Sequence, residues 1–380
     1  MRILIKKIIE KIFGNLKVKD YIIFESKPDF SDNAKRVFDY MIENKINNKY
    51  KLIWNCMDSN IVKKYILKYK YKNVRVFSDK NIILKIYYQA RAKYIINCNR
   101  KIWKINKNTY SLNLWHGTLL KSLSDLKIFD ERNMDKFLCP SDFYINIYEN
   151  DLHIPKDKLL VLNNPRNDYL FSTKCDLNVY FNKNYDKFII WMPTFRKTVN
   201  GNRIDSKYIF NKGIPVLQTD EDIEILNEIL IKNNTLLVLK PHFAQDMNVL
   251  NLSQSSNIKI IYSEDLINNE IELYEFLSGF DALITDYSSV YFDFLVTNKP
   301  IGFTIDDIDE YSKGKGFVFK EPQDYMPGKK ISSLQDMIVF IENLKKGKDE
   351  YKIERENICK LVNKYSDNQN AKRVCDYLKI

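Results

Sequence analysis

Two doubly wound α/β domains, facing across a cleft and preceded by a basic amphipathic helix, are the architecture this sequence predicts. Three observations lead to it. Short apolar runs bounded by polar residues, the mark of strands buried on both faces of a parallel sheet, occur in two successive series. Helical periodicities fall between the runs, so each series reads as consecutive βαβ units. The 380 residues leave room for two or three domains, and 45% hydrophobic against 29% charged residues supply sizeable cores.

In chain order, residues Met1–Lys19 form the helix. Ile5, Ile8, Ile9, Ile12, Phe13 and Leu16 fall on one stripe, and Arg2, Lys6, Lys7, Lys11, Lys17 and Lys19 surround it against Glu10 alone. Such a helix either lies in the headgroup region of an anionic leaflet or packs on the protein's own body, and the stripe suits both equally. It lacks the unbroken apolar core and small-residue cleavage site of a secretory signal. No run of about 18 apolar residues suits a membrane span.

The first domain, residues 20–175, has strands expected at Tyr21–Glu25, Lys51–Asn55, Val74–Phe77, Tyr94–Asn97, Ser111–Leu114, Phe137–Cys139 and Leu159–Leu162. Helices such as Asn33–Asn44 and Asn81–Ala92 lie between them, and the polar stretch Ser172–Lys187 reads as a linker. The second domain, residues 176–380, has strands expected at Phe188–Met192, Leu236–Leu239, Ile258–Tyr262, Ala282–Thr285 and Pro300–Phe303. Its helices include Asp220–Lys232 and Glu270–Leu277, and helices over Leu334–Ile380 close it. Parallel sheets bind ligands at the carboxyl ends of their strands, so two facing ones place the ligand between them.

Composition narrows the partners. A net charge of +11 favours anionic ones: phosphate-bearing substrates, nucleic acid or an acidic membrane face. The six cysteines are scattered without a CxxC pair or Cys–His cluster, which points to reduced, buried thiols rather than a disulfide framework or zinc site. No GxxxxGK[ST], GxGxxG or GxSxG string occurs, so P-loop, dinucleotide and nucleophile-elbow readings lack their fingerprints. No cofactor is demanded. The acidic run 306–310 is the one stretch suited to a divalent cation, and a solvated turn accounts for it better.

Chemistry concentrates at predicted strand ends. Trp115-His116-Gly117-Thr118 follows the strand ending at Leu114: the strand delivers an imidazole, Gly117 admits close backbone approach, and Thr118 starts the next helix. A histidine near its ordinary pKa is the natural base for a hydroxyl nucleophile. Lys240-Pro241-His242 ends another strand and can hold anionic oxygens, whereas His153 has no constellation around it. In Thr285-Asp286-Tyr287-Ser288-Ser289 a strand ends and a helix opens, offering backbone N–H groups and hydroxyls to a phosphate. Asp286 beside it would repel a phosphate, and suits a hydroxyl, a base or a cation. Arg166 in Pro165-Arg166-Asn167-Asp168 and Arg196 in Pro193-Thr194-Phe195-Arg196-Lys197 can each fork onto phosphate oxygens.

Together and in this order, these segments, with Phe24-Glu25-Ser26 and Ser31-Asp32-Asn33, resemble the CDP-glycerol glycerophosphotransferase family of teichoic-acid primases, polymerases and capsule relatives. They span residues 21–319. The resemblance implies a GT-B-like pair of Rossmann-type domains. It implies transfer of glycerol phosphate or ribitol phosphate from a CDP-activated donor to a hydroxyl of a lipid-linked glycan acceptor, releasing CMP. On this match His116 is the general base and Asp286 a second catalytic candidate. The Thr285–Ser289 turn and His242 hold the donor diphosphate. Trp115, Gly117, Thr118, Arg166, Asn167, Asp168, Thr194, Arg196 and Lys240 are further substrate-binding candidates. Relatives are peripheral proteins of the cytoplasmic membrane face, which moves Met1–Lys19 toward an anionic membrane surface. Leu119 and Phe243 stand where the family often has Pro, and the missing N-terminal extension of some polymerases leans toward a primase. The rival enzyme is a GT-B glycosyltransferase using a nucleotide sugar. The rival from another class, a nucleic-acid-binding module, has no recognised motif here, so no nucleic-acid partner is expected.

Overall fold

A computed structural model describes the chain apart from residues 1, 126, 127, 129, 131, 173, 174, 197–204, 207, 209, 243–249, 251, 253 and 254. Lys197 and Phe243, named above, lie outside the described residues. The chain divides into two compact units: Met1–Gly117 with Leu126–Asp168 and Asp367–Ile380, and Thr118–Asp125 with Tyr169–Ser366.

The first unit holds a seven-stranded sheet of β1 (Lys19–Glu25), β2 (Lys51–Cys56), β3 (Val74–Ser78), β4 (Ala92–Asn97), β5 (Tyr110–Asn113), β6 (Lys136–Cys139) and β7 (Leu159–Val161). The order is β3-β2-β1-β4-β5-β6-β7 and every pairing is parallel. Burial on both faces explains the apolar runs: Ile22, Ile23, Phe24, Ile53, Trp54, Ile95 and Ile96 are fully buried, with Phe24 stacked on Trp54. Around the sheet lie α1 (Arg2–Phe13), α2 (Asp32–Glu43), α3 (Asn60–Tyr69), α4 (Ile82–Gln89) and α5 (Ile145–Leu152).

The second unit repeats the plan with six strands: β8 (Lys187–Met192), β9 (Thr235–Leu239), β10 (Ile258–Ile260), β11 (Ala282–Thr285), β12 (Ile301–Thr304) and β13 (Lys329–Ile331). Their order is β10-β9-β8-β11-β12-β13, again all parallel. Helices α6 (Leu177–Phe181), α7 (Asp220–Lys232), α8 (Ser263–Asn268), α9 (Leu273–Ser278), α10 (Val290–Phe294), α11 (Ile308–Gly314), α12 (Leu334–Lys345) and α13 (Lys352–Val362) belong here, and α14 (Asn370–Leu378) ends the chain. In both sheets the order reverses between the first and fourth strands. In such sheets that reversal opens the ligand crevice at the strands' carboxyl ends, here beside β1/β4 and β8/β11.

The structure departs from the sequence reading in four places. Helix α14 does not close the second unit: Ala371, Val374, Cys375 and Leu378 sit in the first unit's core with Val37, Phe38 and Met41 of α2. Segment 118–125 forms no helix and belongs to the second unit, where Val318 N–H donates to Leu120 O (2.9 Å) and Lys121 bridges Phe317. The expected linker carries α6, whose Phe181 stacks on Phe188, so the boundary falls at residue 168 rather than 175. Strand β13 escaped notice because Lys329 and Lys330 mask it, as charges commonly do on edge strands.

The stripe on α1 splits. Ile9, Phe13 and Leu16 pack on Ala90, Trp103 and Ile105, and Glu10 accepts from Trp103 Nε1 (3.0 Å) and pairs with Arg132. Leu4, Ile5, Ile8 and Ile12 stay exposed, as do Lys6, Lys7 and Lys11. No helix among the described residues is long and apolar enough to cross a membrane.

Candidate active site

His116 lies just past β5, half-buried, its ring centroid 4.0 Å from that of Trp115. The left-handed conformation in this turn falls on Trp115 (φ 53°), which the sequence did not signal. A bulky residue tolerates the left-handed region only when its surroundings over-determine it. Here Asn113 Oδ1 accepts from Trp115 N–H (2.8 Å), and Tyr148 O–H donates to Gly117 O (3.4 Å). Thr118 is buried, and its hydroxyl has no hydrogen-bond partner among the described residues.

The loop after β7 divides its labour. Arg166 is buried and its guanidinium donates to Asp32 Oδ1 (2.9 Å), which turns at least one arm of the expected phosphate fork inward. Asp168 is structural: it accepts from Asn370 N–H (2.8 Å), Asn370 Nδ2 (2.9 Å) and Ala371 N–H (3.0 Å), capping α14 from a distance. Burial raises its pKa despite these bonds. Asn167 is fully buried, and neither end of its side-chain amide has a partner among the described residues.

In the second unit, the β8 and β11 ends are locked together. Thr285 Oγ1 donates to Met192 O (2.7 Å), so that hydroxyl is spent between strands. Asp286, fully buried, accepts from Thr194 N–H (3.0 Å), from Thr194 Oγ1 and from Arg196 Nη1 (2.8 Å). Arg196 gives Nε (2.6 Å) and Nη2 (2.9 Å) to Asp307 and a second Nη1 bond (2.9 Å) to Thr194 O. Four of its five N–H donors are thus committed within the fold. Phe210, Tyr287 and Tyr311 surround the guanidinium at 5.1–5.3 Å, and Tyr287 O–H donates to Asp307 Oδ1 (3.0 Å). Burial of the Tyr287 phenol drives its pKa far up, and the two carboxylates outweigh burial to raise that of Arg196. In this structure Asp286 and Arg196 therefore brace the turn. Asp307 corrects the sequence reading in part: it is a buried counter-ion, whereas Asp309 and Glu310 of the same run are exposed on α11.

What this frame leaves accessible is Ser288 and Ser289, both half-buried. The helix they open, α10, is five residues long, so its dipole is smaller than the sequence suggested and the hydroxyls and first N–H groups carry more of the role. Lys240 sits at the β9 end, mostly buried, with Nζ 3.2 Å from Ser263 Oγ, and desolvation lowers its pKa. His242, half-buried, packs its ring 4.8 Å from Phe195. A desolvated ammonium, an imidazole and two hydroxyls on one sheet edge suit an anionic oxygen cluster.

Residues 10–379 match the family described as CDP-Glycerol:Poly(glycerophosphate) glycerophosphotransferase. The chain belongs to that family. It is a transferase that moves a polyol phosphate from a CDP-activated donor in teichoic-acid synthesis. It is 29% identical over 381 residues to the teichoic acid poly(glycerol phosphate) polymerase of Bacillus spizizenii, covering 92% of this chain and 90% of that one. It is 26% identical over 416 residues to the teichoic acid glycerol-phosphate transferase of Staphylococcus aureus, covering 98% and 97%. In structure it is similar to the wall teichoic acid polymerase TagF, with a TM-score of 0.75 at 22% identity over 98% of this chain and 92% of that one. That likeness carries the GT-B-like, two-domain Rossmann fold.

In this family member His116, His242, Ser288 and Ser289 are only partly buried, whereas Thr194, Arg196, Thr285, Asp286 and Asp168 are buried with side chains hydrogen-bonded within the fold, and Lys240 is buried beside Ser263. The pairing of Tyr287 and Asp307 with Arg196 escaped the sequence reading. Their one local signal is position: Asp307 lies three residues past the end of β12, in the strand-end zone where functional groups gather. Among the described residues no three His, Cys, Asp or Glu side chains converge on a common point. The cysteines are free, and all but Cys175 are buried.

Proposed function

We propose that the chain transfers glycerol phosphate from CDP-glycerol to a hydroxyl of a lipid-linked teichoic-acid acceptor at an anionic membrane surface, with His116 as the general base. The observation that carries this reading is a partly buried imidazole on a braced turn at the carboxyl end of β5. The acceptor oxygen attacks the donor phosphorus distal to cytidine and the imidazole takes its proton. The bond from that phosphorus to the bridging oxygen breaks, and CMP leaves. Lys240, His242 and the Ser288–Ser289 hydroxyls and N–H groups carry the charge of the diphosphate oxygens. The preference for glycerol follows the two relatives above, both named for glycerol phosphate. Incubation with CDP-glycerol or CDP-ribitol and a lipid-linked acceptor tests it: release of CMP with a product heavier by one glycerol phosphate is expected. Release of a nucleoside diphosphate instead would mean glycosyl transfer.

The membrane surface is assigned to α1 and α4. Ile9 and Phe13 of α1 and Ile86 of α4 pack on one cluster, so both helices border the same small core. Leu4, Ile5, Ile8 and Ile12 of one and Ile82, Ile83 and Tyr87 of the other remain exposed, beside Lys6, Lys7 and Lys11. Apolar side chains with flanking lysines are the composition of an interfacial anchor. Replacing Ile8 and Ile12 together with Glu should lower binding to phosphatidylglycerol vesicles by about tenfold or more, and transfer to a water-soluble acceptor should persist. Undiminished vesicle sedimentation of that variant would remove α1 from the interface.

A further inference from the structure

Asn33 is the second residue of α2 and has no solvent exposure. Its carboxamide reaches two other segments of the first unit. Nδ2 donates to the carbonyls of Leu114 (3.0 Å) and Trp115 (3.3 Å) and lies 3.4 Å from Asn164 Oδ1, while Oδ1 accepts from Arg166 N–H (3.0 Å). Two backbone carbonyls on one end and a backbone N–H on the other permit only one orientation of the amide. The Trp115 carbonyl belongs to the peptide that joins Trp115 to His116, so Asn33 fixes the plane from which the imidazole projects.

The need for such a brace is visible in the backbone. Trp115 holds a left-handed conformation, which is unfavourable for a non-glycine residue and persists only when its surroundings enforce it. Asn113 Oδ1 holds the N–H of that residue and Asn33 Nδ2 its carbonyl, so Trp115 is clamped at both ends. Core filling alone would favour an apolar side chain at a fully buried helix position, because a buried amide costs free energy unless its bonds are made.

We propose that Asn33 is a positioning residue of the transfer reaction: it clamps the 114–116 backbone and so aims the His116 imidazole. This rests on the base role given to His116 above. The chain has three histidines, so the imidazole carbon resonances of His116, His153 and His242 form a three-signal spectrum, assigned by loss of each signal in the His→Ala variants. In Asn33→Ala, the His116 signal and its titration midpoint should move and those of His153 and His242 should stay. The kcat for CMP release should fall on the order of 10²-fold, the cost of a misplacement near 1 Å, with the KM for CDP-glycerol within about twofold. If the alanine variant does not fold, Asn33→Ser, which retains one donor on a shorter stem, carries the same expectation with a smaller loss. A folded variant with the His116 signal unmoved, or with all three signals moving together, overturns the proposal. Movement of His116 alone with kcat unchanged upholds the clamp and overturns the base role instead.

Discussion

His116→Ala should lower CMP release by about 10²–10⁴-fold, the range contributed by a positioned general base, and leave the KM for CDP-glycerol nearly unchanged. The split follows from placement. His116 stands on the first unit's sheet at the end of β5, whereas the groups assigned to the donor diphosphate stand at the β9 and β11 ends of the second. Removing a base that acts only as the acceptor oxygen loses its proton touches the transition state and not the bound donor. His242→Ala should show the mirror image, with donor KM raised several-fold and a smaller loss in kcat. The pH profile adds a second readout. An imidazole base must be neutral to accept a proton, so kcat/KM should fall on the acid side of its pKa, and that limb should vanish in His116→Ala. Steady-state kinetics with labelled CDP-glycerol measure all three quantities. A variant that keeps both turnover and the acid limb would sink the base assignment.

The sheet was legible because burial on both faces leaves a local trace. Ile22-Ile23-Phe24 and Leu236-Leu237-Val238-Leu239 are apolar throughout, which neither an amphipathic helix nor a half-exposed strand would be. The position of His116 and of the Ser288–Ser289 pair past strand ends was legible for the related reason that a strand followed by small or polar residues marks such an end. Destinations were not legible. The apolar positions 371, 374, 375 and 378 of α14 have the spacing of any helix that covers a core. That this core is the first unit's depends on Asp168, about 200 residues upstream, accepting the helix's first N–H groups. Charge was the least legible feature. An arginine at a strand end looks the same in sequence whether it faces a phosphate or a buried carboxylate, and the two demand opposite roles. Three acids in four residues likewise read as solvated until Arg196 and Tyr287 are seen to converge on the second of them.

That ambiguity makes Arg196 decisive. Arg196→Ala should destabilise the second unit by about 3–5 kcal/mol, the cost of breaking a buried ion pair and leaving its charges uncompensated. Here two carboxylates are stranded: Asp286 and Asp307 both have fully buried side chains. They would face the void left by the guanidinium among Phe210, Tyr287 and Tyr311, unless they took up protons. Had Arg196 been a phosphate ligand, its loss would leave a stable protein with raised donor KM and normal denaturant sensitivity. The structural role predicts the reverse order of events: an earlier unfolding transition first, and lost donor binding only as its consequence. Arg196→Lys separates charge from shape. An ammonium restores one positive charge but cannot span both carboxylates as the planar fork does, so about half or more of the loss should remain. Urea unfolding followed by tyrosine fluorescence, with donor affinity measured in parallel at low urea, reads both roles on one sample. A variant that unfolds with the wild type while its donor affinity collapses would return Arg196 to the phosphate site.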